Sequence, residues 1–202
     1  MATRRDITVV GAGIIGASIA WHLVEAGARV KLVADRPGGM ATPTSFAWIN
    51  ASWGNPEPYF RLRTRSKLEW RQMAREIPDL PLTWGGGLCW DLPPAELGQF
   101  ADQHGGWGYD IRRVSAQEAS RIEPNVSQFP EFALHVRQEG AADPATTTHA
   151  IIDNARRKGL ELIETTVTGL RERSGRVTAI VTSGGEIATD EVVLAAGANV
   201  PA

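Results

Sequence analysis

The sequence predicts an α/β fold: a parallel-sheet domain interrupted by a smaller α+β segment. Three observations carry this. The first 35 residues read strand, glycine turn, helix, strand, which is one βαβ unit. Residues 82–137 change character, with short β-like runs set between glycines and prolines. From Gly140 the alternation of strand and helix returns. At 202 residues the chain can bury a core without staples. Its 43% hydrophobic and 22% charged residues are a globular composition, not a disordered one.

Residues 7–10 (ITVV) end at Gly11 and suit a buried parallel strand. Residues 14–26 place Ile15, Ile19, Leu23 and Ala26 at helical spacing, and Gly27 stops that helix. Residues 30–33 are a second strand. Residues 36–58, rich in Pro, Gly, Thr, Ser and Asn, form a long loop of the kind that often carries function. A helix over about 59–77 puts Leu62, Ser66, Trp70, Met73 and Ile77 on one face. Arg61, Arg65, Arg71 and Arg75 fall mostly off that face and read as solvated. Residues 82–84 and 88–92 read as a strand pair across the glycines at 85–87. Pro93 and Pro94 open a helix at 95–104, and 111–114 is a strand. Ser115 and Glu118 have capping-box spacing for a short helix ended by Pro124. Residues 132–137 are a strand. Asp143-Pro144 is an N-cap followed by proline at the first helical position, and Gly159 stops that helix after Lys158. A strand at 160–164, a hairpin of Val167–Arg173 with Arg176–Thr182, and a last strand at 191–195 complete the chain.

Charge and composition exclude several functions. With 21 basic and 23 acidic residues, the chain lacks the footprint of a nucleic-acid binder. The single Cys89 excludes an intrachain disulfide and any multi-cysteine metal site, and reads as a buried strand residue. No apolar run approaches the roughly 20 residues of a membrane helix. The N-terminus enters a strand without a secretory segment, so no membrane insertion and a cytoplasmic location are expected. His22, His104, His135 and His149 lack metal-ligand spacing. Trp84, Trp90 and Trp107 read as core, whereas Trp48, Asn50 and Trp53, in the long loop, are candidates for a substrate pocket. There is no GxSxG elbow and no Walker lysine.

The sharpest motif is Gly11-Ala-Gly13-Ile-Ile-Gly16, a GxGxxG that follows a strand and opens a helix inside a βαβ unit. Gly11 permits the tight turn, Gly13 lets a pyrophosphate approach the backbone, and Gly16 lets helix and strand pack closely. The helix N-terminus offers free N–H groups and the positive end of a dipole. An acidic residue should end the second strand and hold the ribose hydroxyls. Asp35 is the candidate, although the usual position falls one residue earlier, on Ala34. Arg36 beside it can pair locally or meet an adenosine phosphate.

Further stretches follow in a fixed order: the loop at 42–50, Gly87-Leu-Cys-Trp90, Glu118 with Glu123-Pro124, Gly140 through Asp143-Pro144, Thr166-Val-Thr-Gly-Leu170 and Val193-Leu-Ala-Ala-Gly197. With the glycine motif, this order resembles the FAD-dependent oxidoreductases of the D-amino acid oxidase type, which include glycine and sarcosine oxidases, over about residues 6–202. The resemblance implies a Rossmann-type FAD-binding domain at 1–80 and 139–202, its C-terminal part missing, with an inserted, incomplete α+β substrate-domain segment at 81–138. It implies that Gly11, Gly13, Ile14, Ile15 and Gly16 cradle the FAD pyrophosphate, and that Ala34, Asp35 and Arg36 lie at the ribose. By the same likeness, Thr44, Ser45 and Ala47 approach the pyrophosphate and flavin, Val167 gives a backbone contact to adenine, and Ala196 and Gly197 pass beside the cofactor. The implied chemistry is oxidation of a C–N bond in a small amino acid or secondary amine, with hydride passing to flavin N5. Sarcosine-oxidase relatives carry histidine after the loop serine; Phe46 stands there, which argues against a close sarcosine oxidase. Family members continue past Ala202, so the resemblance makes this an N-terminal portion that does not turn over substrate alone. The alternatives are a nicotinamide-dependent Rossmann dehydrogenase, which should show further βα units after Asp35, and a non-catalytic FAD-binding fragment.

Overall fold

The computed structural model describes residues 5–52 and 54–200. In chain order the elements are β1 (Asp6–Val10), α1 (Ile14–Glu25), β2 (Arg29–Ala34), β3 (Trp48–Ile49), α2 (Glu57–Glu76), β4 (Leu82–Thr83), β5 (Gly87–Cys89), α3 (Pro94–Gly106), β6 (Ile111–Ser115), α4 (Ala116–Ile122), β7 (Phe132–Val136), β8 (Gly140–Ala142), α5 (Pro144–Arg157), β9 (Glu161–Glu164), β10 (Val167–Arg173), β11 (Arg176–Thr182), β12 (Gly185–Ala188) and β13 (Glu191–Leu194). They form two compact units. The first comprises Met1–Ala47, Asp79–Pro81 and Asp143–Ala202, the second Trp48–Pro78 and Leu82–Ala142. The expected division at residues 80 and 139 therefore differs from the observed one, because the segment carrying α2 joins the second unit. The reason is packing: Phe60 of α2 sits with Ala51, Tyr109 and Val136, and Trp107 lies against this cluster.

The first unit is built on four parallel strands in the order β13-β1-β2-β9. Their apolar runs are what a parallel sheet covered on both faces requires. Val10 and Val33, paired in register, pack with Ile180 of the antiparallel meander β10-β11-β12. Val9 and Leu32, one residue back, are fully buried and by period-two alternation face the other way. α1 and α5 pack together, and Trp21 Nε1 donates to Asn154 Oδ1 at 2.9 Å. The inner face of α1 is Gly16, Ala17, Ala20, Trp21 and Val24, not the predicted Ile15, Ile19, Leu23 and Ala26; Ile15 is 66% exposed. The helix runs so close to the strands that mostly small side chains fit beneath it, and the larger aliphatics fall to its flanks.

In the second unit an antiparallel sheet, β5-β7-β6, carries α3 through Leu97 and Phe100 against Cys89 and Leu134. α4 seats Ala119 on Val114 and Ala133. Its Ser115–Glu118 capping box forms as predicted, as does the Asp143 cap of α5. The predicted pairing of 82–84 with 88–92 does not occur: β4 pairs with β8, and β5 with β7. β8 needs glycine at 140, where a Cβ would lie 2.3 Å from Thr83 O.

The α2 face also differs from expectation. Phe60, Lys67, Met73 and Ile77 are buried, whereas Leu62 is 63% exposed. Arg61 and Arg65 are solvated and pair with Glu57 and Glu69 one turn away. Arg71 is half-buried; its guanidinium lies 3.8 Å from the centre of the Trp84 ring. Among the described residues, no helix is long and apolar enough to cross a membrane.

Candidate functional site

Gly11, Asp35, Val167 and Ala196 follow β1, β2, β9 and β13, at the carboxyl ends of the parallel strands, where ligands bind in open α/β sheets. Gly11 follows β1 with φ +102, a left-handed value that favours glycine. A Cβ there would lie 2.4 Å from Ala195 O, and a Cβ on Gly16 would lie 1.8 Å from Gly11 O. These two glycines are therefore demanded by packing. Gly13 is not: its Cβ would meet Thr42 Oγ1 at 3.1 Å and otherwise only Gly39 Cα, at 3.9 Å. Its tightest neighbour is thus a side-chain hydroxyl and not backbone, as it is for the other two. Gly13 is also the N-cap of α1 and contributes no side-chain bond, and the first turn holds no acidic residue. The Ile14 N–H donates to Thr42 Oγ1 at 3.1 Å, so a side chain 28 residues away closes one first-turn amide. Helix geometry leaves the neighbouring amides of Ile15 and Gly16 as the donors an anion would meet. These features suit a dinucleotide pyrophosphate.

The other residues lie around this cradle. Ala34, buried, ends β2, and Asp35 and Arg36 follow it, exposed. Gly38 N donates to Ala12 O at 2.9 Å, stitching the long loop to the glycine turn. Thr44 and Ser45 are exposed, and Ser45 Oγ accepts from Ala47 N at 3.0 Å. Ala47 has φ +50, an uncommon value for a residue with a Cβ. Val167 opens β10, just after β9; Ala196 and Gly197 follow β13.

The second unit holds a polar cluster that spacing did not reveal. Glu139 is fully buried, and Ser52, Lys67 and Tyr109 are each at most 4% exposed. The Glu139 carboxyl accepts from Trp48 Nε1 at 2.9 Å, from Ser52 Oγ and from the Tyr109 hydroxyl. Lys67 Nζ lies 4.2 Å from the centre of the Tyr109 ring. Burial pushes the Glu139 carboxyl up from its ordinary range, against the pull of its donors and of Lys67. Burial brings the Lys67 ammonium down to about 8, with Glu139 opposing. The Tyr109 hydroxyl is raised by burial first and then by Glu139. Two pocket candidates are thereby occupied with internal bonds: Trp48 is tied to Glu139, and Asn50 to Arg63. Trp53 lies outside the described residues.

Cys89 is buried, and burial pushes its thiol up to about 12, which makes it a poor nucleophile. His104 packs among Phe60, Phe100 and Trp107. Both ring nitrogens of His135 are buried without a hydrogen-bond partner. Burial lowers the pKa of His135, with Arg112 and Arg137 adding to the effect. A histidine whose folded pKa is depressed contributes stability above its unfolded value, lost as pH falls through the folded one. The expected result is a falling urea midpoint between pH 7 and pH 5, shallower in His135→Leu. Parallel curves for the two proteins would remove His135 as the cause.

Comparison with known proteins agrees with this geometry. The family described as FAD dependent oxidoreductase (DAO) matches residues 6–202. The glycine oxidase of Bacillus licheniformis is 25% identical over 205 residues, covering 98% of this chain and 55% of its own length. The D-amino-acid oxidase of Bradyrhizobium diazoefficiens is 34% identical over 136 residues, covering 64% of this chain and 32% of its own length. The crystal structure of glycine oxidase from Geobacillus kaustophilus superposes with a TM-score of 0.86 at 24% identity, over 96% of this chain and 56% of that one. The chain thus spans about half the length, or less, of the curated relatives it matches. A family match over nearly all of the described chain, joined to a glycine cradle shaped for a dinucleotide, shows that the chain belongs to the FAD-dependent oxidoreductases of the DAO family.

Proposed function

We propose that this chain supplies the FAD-binding part of an oxidoreductase that oxidises the C–N bond of an amino acid or secondary amine. The observation that carries the reading is the strand, glycine turn and helix of β1, Gly11–Gly16 and α1, in which Gly11 has φ +102 and Gly13 caps α1 with no acidic residue in its first turn, in a chain of this family. The substrate class is supported by relatives named glycine oxidase and D-amino-acid oxidase. When bound, FAD supplies the hydride acceptor, and the protein supplies binding and orientation. Gly11, Gly13, Ile14, Ile15 and Gly16 hold the pyrophosphate, and Ala34, Asp35 and Arg36 meet the ribose. Thr44, Ser45 and Ala47 face the flavin side, Val167 the adenine, and Ala196 and Gly197 border the cofactor.

The test reads binding and turnover separately. Purified protein is titrated with FAD, the released cofactor is identified by mass, and an artificial electron acceptor is used across amino acids and N-methyl amines. Saturable FAD binding supports the cradle; the chain alone is expected not to turn over the panel, and turnover of any member would overturn that expectation while supporting the substrate class. Gly13→Val is expected to lower FAD affinity at least tenfold, because a branched side chain fills the space the pyrophosphate needs; unchanged affinity would remove the assignment. Asp35→Ala is expected to lose about 1.5–3 kcal/mol of binding for each charged hydrogen bond to the ribose. A difference within error would move that contact to the Ala34 backbone.

A further inference from the structure

Residues 48–52 are gripped from two sides. From α2, Arg63 donates Nε to Asn50 O at 3.1 Å, Nη1 to Ser52 O at 2.9 Å and Nη2 to Asn50 Oδ1. From the residue before β8, Glu139 accepts from Trp48 Nε1 and Ser52 Oγ. The Tyr109 hydroxyl bridges the two, accepting from Ala51 N at 3.0 Å and donating to Glu139. Trp48, Ala51 and Ser52 thus all reach one carboxyl, directly or through one hydroxyl. A fully buried carboxyl is costly unless its partners are well placed, and these partners converge from two separate stretches of chain, 48–52 and, just before β6, Tyr109.

Immediately before this segment stands Ala47, with φ +50. Residues held in such conformations persist only where their surroundings over-determine them. The Ser45 hydroxyl fixes Ala47 from the preceding side. The gripped segment fixes the chain that leaves it.

We propose that Glu139 is a positioning residue for the cofactor: its buried carboxyl sets the conformation of residues 48–52 and, through the chain, of the loop at 44–47. This rests on the reading above that Thr44, Ser45 and Ala47 face the flavin. Glu139 itself touches no reacting atom in this account.

The experiment uses the full chain, with Glu139→Gln, which keeps the shape of the side chain, and Tyr109→Phe, which removes only the bridging hydroxyl. Residue-resolved hydrogen exchange and the Trp48 indole N–H signal are recorded without FAD; FAD affinity and the visible flavin band are recorded with it. In Glu139→Gln, residues 44–52 should exchange at least tenfold faster while β1 and β2 stay unchanged, and the Trp48 indole signal should move. FAD affinity should fall at least fivefold, with a shifted or less resolved flavin band. Tyr109→Phe should move the same readouts in the same direction by less, and it decides the matter if Glu139→Gln does not fold. Unchanged exchange over 44–52, or uniformly faster exchange everywhere, would overturn the proposal. So would a loosened segment with unchanged affinity and band. If the unmodified chain binds no FAD, the cofactor reading falls and takes the cofactor half of the proposal with it. Exchange over 44–52 then still shows, separately, whether Glu139 sets the segment.

Discussion

Gly16→Ala is expected to destabilise the protein by about 3 kcal/mol or more, at the upper end of what overpacking usually costs. The added Cβ would lie 1.8 Å from Gly11 O and 2.9 Å from Gly11 C, both backbone atoms. Gly11 cannot retreat, because the space beside its own Cα is filled by Ala195 O and its N–H is bonded to Val33 O at 2.8 Å. The remaining relaxation is for α1 to lift from the sheet, which uncovers Ala17, Ala20, Trp21 and Val24. Urea unfolding followed by circular dichroism measures the loss. Gly13→Val should be milder in the same assay, since its Cβ would meet Thr42 Oγ1 at 3.1 Å, a contact relieved by a few tenths of an ångström, and not backbone at 1.8 Å. The two substitutions separate the glycine that folding needs from the glycine that the ligand needs. A Gly16→Ala protein with a wild-type midpoint would mean that helix and turn do not approach this closely.

The second large effect is at Glu139. Glu139→Ala removes the acceptor of Trp48 Nε1, Ser52 Oγ and the Tyr109 hydroxyl and leaves the Lys67 charge buried. Each buried donor left without its acceptor costs about 1–3 kcal/mol. Glu139→Gln combined with Lys67→Met should cost less, because the amide oxygen keeps an acceptor for these donors and no charge is left buried. The signs of the shifts agree. Glu139 is raised above its ordinary 4.5, so its contribution is present below that value and lost as pH rises through the folded one. Lys67 is lowered from 10.5 to about 8, so its contribution is present above 10.5 and lost as pH falls through about 8. Burial thus works against the charged form of each group. Urea midpoints at pH 7 for the single and double variants check this; a double variant as unstable as Glu139→Ala would show that the site needs the carboxyl itself and not merely an acceptor in its place.

What the sequence shows plainly is what depends on near neighbours. The glycine turn with its flanking strands needs only a run of apolar residues and three glycines at fixed spacing. The caps at Ser115 and Asp143 form within three residues of themselves. The strand pairing of residues 82–92 was not legible, because proximity along the chain favoured a hairpin while β4 and β5 found partners far along it, in β8 and β7. The face of α1 was misplaced because periodicity weighs hydrophobicity and ignores how close a helix must come. Lys67 and Glu139 were missed for a related reason: a charged residue is read as solvent-facing, and only the fold shows the partners that let it be buried. The cradle was visible in advance because its residues are contiguous. The Glu139 cluster draws on residues 48, 52, 67, 109 and 139, which no spacing rule connects.

The central strand of the first unit waits a long time for one of its neighbours. β1 pairs on one side with β2, made soon after it, and on the other with β13, where Ile7 meets Glu191. Asp6 N bonds Asp190 Oδ2 across a separation of 184 residues. At ribosomal rates of about 5–20 residues per second, β1 emerges roughly 10–40 s before β13 exists. Throughout that interval a Val- and Ile-rich strand edge is open to any passing chain, a hazard that sheet edges carry until they are covered. Yield in the cell should therefore depend on translation speed and on chaperone supply as much as on the stability of the finished fold.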